Sequence, residues 1–103
     1  MLHMVTVIHG PETCAVNVPE NMQKYLSADK ELPAAAKKLG ITVQGIWLNA
    51  PGHTFFFLID APNAHVINQL MSELHFMDWN TVMIHPVITE QEAMARLAQR
   101  RQK

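Results

Sequence analysis

The stretch from Ile41 to Asp60, ITVQGIWLN (41–49), APG (50–52) and HTFFFLID (53–60), decides the fold. Both flanks are dense in β-branched and aromatic side chains, and Ala50-Pro51-Gly52 is a turn signal, so the segment predicts a β-hairpin. A helix pattern lies on either side of it. Upstream, residues 21–39 place Leu32, Ala35, Ala36 and Leu39 at i, i+3, i+4 and i+7, with Gly40 where a helix-ending glycine belongs. Pro33 suits the first turn of that second half, which predicts a break or kink near Glu31–Pro33. Downstream, Pro62 opens a helix with Val66, Leu70 and Leu74 along one side and Ile67 and Met71 beside them. Farther out, residues 2–9 (LHMVTVIH) read as a strand stopped by Gly10-Pro11, apolar on both parities and so expected to be buried on both faces. Residues 81–88 (TVMIHPVI) read as a last strand, which Pro86 marks as an edge or bulged one. Thr89-Glu90-Gln91-Glu92 is a capping box that starts a C-terminal helix with its basic residues in the last turn.

The resulting order, β-α-β-β-α-β plus a terminal helix, is the ferredoxin-like split pattern, an α+β fold with an antiparallel sheet ordered 4-1-3-2. The whole chain, residues 1–103, is expected to form one such domain. Helices cover only one face of this sheet. The other face is apolar as well, so a second copy is expected to cover it, two sheets closing into a barrel in a homodimer.

Composition narrows the partners. Charged residues make up 17% of the 103, against 49% hydrophobic, and the net charge is −1. That is too apolar for an intrinsically disordered chain. No apolar run approaches the ~20 residues that span a bilayer. Every Lys and Arg lies in residues 24–38 or 96–103, so the stretch from Leu39 to Ala95 has none, while it carries four of the six histidines. Nucleic-acid binding needs a cationic footprint on phosphates, and the middle of this chain cannot supply one. A single cysteine, Cys14, forms no internal disulfide, and the first residues lack the pattern of a signal peptide. A reducing cytoplasm is the expected location.

Topology indicates where chemistry would gather. With strands one and two running up and three and four down, the top edge collects His9, the loop with Glu12 and Cys14, the end of strand two with Trp47 and Asn49, His53, and Trp79-Asn80 before strand four. His3 lies six residues from His9, about 20 Å along an extended strand, and belongs to the opposite end. Imidazole, thiolate and carboxylate together form a ligand set for zinc, copper, nickel or non-haem iron, so His9, Glu12, Cys14 and His53 are the candidate metal ligands, with zinc, nickel or copper the expected ion. The same groups could serve acid–base or nucleophilic chemistry, with His9 and His53 the candidate catalytic bases. Plainer roles compete: Cys14 as a small buried hydrophobe, Glu12 as a loop cap, His53 as a hairpin closer. His65 and His75 are expected at the surface. The face of His85 depends on a register the sequence leaves open. Phe55-Phe56-Phe57, Trp47 and the methionines are expected in the core and dimer interface.

His9-x-Pro11-Glu12-x-Cys14 after the first strand, Gly45-x-Trp47 in the second, Pro51-x-His53-x-x-Phe56 in the third and Trp79-Asn80 before the fourth resemble a family of short bacterial proteins. That family has no assigned activity and is placed in the dimeric α+β-barrel superfamily, beside muconolactone isomerases, cofactor-independent monooxygenases, haem-binding chlorite dismutase-like enzymes and small nickel-binding proteins. The family pattern carries a proline directly after the cysteine, where Ala15 stands here. The resemblance implies a dimer with a pocket beside the sheet and draws attention to His9, Glu12, Cys14 and His53. Such breadth leaves function to the site. Three functions are expected to compete: a small protein that binds a transition metal or small ligand, a cofactor-independent isomerase or monooxygenase acting on an apolar or aromatic small molecule, and a structural or regulatory partner with no site.

Overall fold

A computed structural model describes residues 1–101. Its elements are β1 (Leu2–Ile8), α1 (Pro19–Lys38), β2 (Thr42–Asn49), β3 (Thr54–Asp60), α2 (Ala64–Glu73), a 3₁₀ turn (Phe76–Asp78), β4 (Thr81–Pro86) and α3 (Glu90–Arg101). The four strands form one antiparallel sheet ordered β2-β3-β1-β4. This is the ferredoxin-like arrangement expected from the hairpin and its flanking helices, with Pro86 closing the edge strand β4.

Alternation along β1 divides the sheet into two unlike faces. His3, Val5 and Val7 point toward the helices and are buried, opposite Ile59, Phe57 and Phe55 of β3. Ile67, Leu70 and Met71 of α2 and Leu74 at its C-terminal end pack on this face, and α1 adds Ala28 and Ala36. Each large apolar side chain buried this way contributes about 1.5–3 kcal/mol, which makes this face the stabilising core. The second parity has no such cover. Met4, Phe56 and Leu58 are half-buried, and Trp47 and Met83 are 55% and 47% exposed. The expectation that β1 is buried on both faces therefore holds on one face only within a single chain. His85 pairs with Met4, which settles its register on the uncovered face, where it is exposed.

Two features depart from the sequence pattern. Helix α1 runs unbroken from Pro19 to Lys38 through Pro33, correcting the expected break. Proline removes the bond to the carbonyl four residues back, Asp29, but both residues face solvent, where water can satisfy that carbonyl. The second departure is a bulge in β2. Val43 pairs with Ile59 and Gly45 with Leu58, leaving Gln44 as an extra residue. Because side chains alternate every residue, the bulge turns Gly45 and Trp47 to the uncovered face and Ile46 and Leu48 to the helix side. A Cβ at Gly45 would collide with the Trp47 ring, so glycine there lets the indole lie flat across the open sheet.

Helix α2 begins at Asn63, whose side-chain oxygen accepts the Val66 N–H at 3.0 Å. Thr89 Oγ1 likewise accepts the Glu92 N–H at 3.1 Å, as the capping box requires. Helix α3 nevertheless buries no residue, and Met94 and Leu97 are 60% and 50% exposed. No helix among the described residues is long and apolar enough to cross a membrane.

Candidate metal centre and adjoining cavity

His9 stands one residue beyond β1, and its backbone N–H donates to the His53 carbonyl at 3.2 Å. This bond continues the β1–β3 ladder past Ile8–Thr54 and brings together two histidines 44 positions apart in sequence. Their rings meet edge to face, with centroids 5.3 Å apart. His53 follows the hairpin turn, in which its own N–H donates to the Ala50 carbonyl at 3.2 Å and Asn49 Oδ1 accepts the Gly52 N–H at 3.1 Å. The turn holds His53 at φ 50°, a left-handed conformation that costs a non-glycine residue about 1–2 kcal/mol.

Cys14 arrives on the loop after β1. Thr13 N–H donates to the Gly10 carbonyl and Cys14 N–H to that of Pro11, while the Cys14 carbonyl accepts from the N–H groups of Asn17 and Val18. Asn21, buried in the first turn of α1, donates through Nδ2 to the Thr13 carbonyl at 2.8 Å. The loop is thereby pinned to the helix one residue before the thiol. One ligand atom each from His9, Cys14 and His53 lie within 4.8 Å of one another, and all three residues are half-buried.

Glu12, expected as a fourth ligand, is not in this group. It is exposed, and its carboxylate folds back over Gly10, where a Cβ would strike it. His3 lies at the far end of β1, its Nδ1 3.0 Å from the Met1 carbonyl. His65 and His75 are exposed, and His75 Nδ1 lies 3.1 Å from Asp78 Oδ2.

The residue whose role sequence reasoning missed is Asn80, at the approach to β4. His9 Nδ1 is 2.8 Å from Asn80 Oδ1, while Asn80 Nδ2 donates to the Phe76 carbonyl at 3.0 Å. That second bond fixes the amide, so the group facing His9 is an acceptor and His9 Nδ1 must carry the hydrogen. In the neutral ring Nε2 then bears the lone pair. It is buried and has no hydrogen-bond partner among the described residues. A buried polar atom left unpaired costs about 1–3 kcal/mol and calls for an explanation. Trp79 and Phe55 wall the imidazole, with centroids 5.1 and 6.2 Å away.

The three residues open onto a cavity of about 340 Å³, near the lower limit of the ~300–1,000 Å³ usual for small-molecule sites. Met22 and Tyr25 of α1, Leu48, Phe55 and Trp79 form its apolar wall, and among the described residues no Asp, Glu, Lys or Arg side chain lines it. Burial, and secondarily the Asp29 carboxylate, push the Tyr25 phenol above its ordinary range, so it stays protonated there.

Tightly turned loops and an oriented histidine beside an apolar cavity describe what this end of the sheet can hold, without naming a reaction. No curated protein matches the chain at a significant level. A family profile covers residues 1–101, and on that match the chain belongs to the family described as Domain of unknown function (DUF3303).

Proposed function

We propose that the protein is a homodimeric binding protein whose sheet end holds a divalent transition metal, zinc, nickel or copper, on His9 Nε2, the Cys14 thiolate and a ring nitrogen of His53. The observation that carries this reading is the lone pair of His9 Nε2, buried and unpartnered in a group whose ligand atoms lie within 4.8 Å of one another. A metal ion accounts for that orphaned atom. Metal-ligating histidines characteristically donate their other ring N–H to an oxygen acceptor, the role Asn80 plays toward Nδ1. Mixed nitrogen and thiolate ligands suit these three ions better than magnesium or calcium, which prefer oxygen. A cytoplasmic location suits the reading, since a reducing compartment keeps Cys14 a thiol. Protein purified without a histidine tag is expected to carry stoichiometric metal by elemental analysis, and to gain thermal stability on addition of Zn²⁺, Ni²⁺ or Cu²⁺. Metal-free protein with no thermal shift would sink the reading.

The dimer is supported by the uncovered sheet face, where Met4, Phe56, Leu58, Trp47 and Met83 form a continuous apolar surface. A second copy covering it is also what the superfamily resemblance implies.

A second reading draws on the cavity. A base whose lone pair faces apolar walls is what a cofactor-independent isomerase or monooxygenase needs for abstracting a proton from an apolar or aromatic substrate. His9 is its candidate base and His53 the next. Turnover that survives in both His9→Ala and His53→Ala would refute it.

A further inference from the structure

We infer that the metal's remaining coordination position takes a small organic monoanion whose apolar, ring-sized body fills the adjoining cavity. This deepens the metal-binding reading and rests on it. Three protein ligands leave a tetrahedral ion one position short, the arrangement of sites that bind exogenous molecules. Here that position adjoins the cavity, because His9, Cys14 and His53 belong to its lining.

Charge then selects the occupant. A dication bound by one thiolate and two neutral imidazoles retains one positive charge. The protein supplies nothing further to balance it: the cavity is lined by no acidic side chain, Glu12 is turned away over Gly10, and the Tyr25 phenol is protonated. An uncompensated charge against apolar walls is costly, and a monoanionic donor cancels it. A neutral ligand leaves the charge in place, and a dianion reverses it. Shape selects the rest. Phe55, Trp79, Tyr25, Met22 and Leu48 offer flat and adaptable apolar surface, which favours an aromatic or short aliphatic body over a hydrated one.

The test uses untagged protein loaded with Co²⁺, whose visible spectrum reports coordination, titrated separately with benzoate, acetate and benzyl alcohol. Benzoate is expected to change the cobalt bands at a concentration about tenfold or more below acetate, a difference of about 1.4 kcal/mol from the buried ring. Benzyl alcohol is expected to leave the bands unchanged. Leu48→Ala, at a side chain already 58% exposed, is expected to shrink the preference for benzoate over acetate, read as the ratio of the two midpoints. Cobalt bands that respond equally to benzoate and acetate, or that respond to benzyl alcohol as well as to benzoate, overturn the inference and leave the metal site standing. Absence of a thiolate-to-cobalt band overturns the metal site and the inference together.

Discussion

The His9 imidazole is oriented by Asn80: Nδ1–H donates to Oδ1 over 2.8 Å, and the amide is held against rotation by its own bond to the Phe76 carbonyl. The tautomer of His9 is therefore set from the approach to β4, on the opposite side of β1 from His53. Asn80→Ala is expected to weaken metal affinity by about 10–100-fold without touching a ligand. Competition titration against a chromophoric chelator measures it. Unchanged affinity would remove Asn80 from the site and weaken the tautomer argument.

His53 pays for its position in backbone strain, at φ 50°. Glycine takes this conformation freely and alanine does not, so His53→Gly is expected to be more stable than His53→Ala by about 1 kcal/mol. Both are expected to lose the proposed metal binding, since each removes the His53 ring. Urea denaturation of the two variants, without metal, is the measurement, and equal midpoints would contradict the strain.

His3, fully buried, has an unpartnered Nε2 like that of His9, but it is not among the residues that line the cavity. Its one bond is to the Met1 carbonyl, which also accepts the Ala61 N–H at 2.9 Å and so keeps a partner if the imidazole is removed. His3→Leu is expected to change stability by no more than about 1 kcal/mol, with the lost bond offset by removal of the orphaned atom. Ile67→Ala, at an equally buried position, is expected to cost about 2–5 kcal/mol. A His3→Leu loss as large as that of Ile67→Ala would show that His3 is a structural hub.

Leu58 sits at the middle of the uncovered sheet face, opposite Met4 and Gly45. Leu58→Glu is expected to convert dimer to monomer in sedimentation velocity. A half-exposed position tolerates the charge in one chain, whereas the centre of an interface does not: about 2 kcal/mol or more is lost there. A dimer that persists in this variant would mean that the copies meet elsewhere.

The fold was legible because the hairpin at 41–60 and its flanking helices leave few alternatives once strand order and handedness are imposed. The meeting of His9, Cys14 and His53 followed from strand direction alone. What stayed hidden depends on single-residue geometry. Glu12 has the right chemistry and nearly the right position, and only the fold of its carboxylate over Gly10 removes it. The bulge at Gln44 has only the neighbouring Gly45 as a local signal, yet it decides which way Trp47 and Leu48 face. Pro33 reads as a helix breaker until both it and Asp29, whose carbonyl it leaves without a helical partner, are found exposed. Asn80 reached the correct edge of the sheet, but its pairing with His9 needs the register of β1 with β4.

The bond from His9 N–H to the His53 carbonyl has a consequence for how this protein would gain and lose an ion. In a zinc finger the ligands find one another only when metal arrives, and binding energy is folding energy. Here the sheet ladder and the Asn21 clasp on the Cys14 loop assemble the proposed ligands in advance, so folding itself would meet the entropic cost of gathering them. Emptying such a site leaves a folded protein ready to refill. If the proposed metal binds, it would then load into a site that the fold has already built, rather than create the fold.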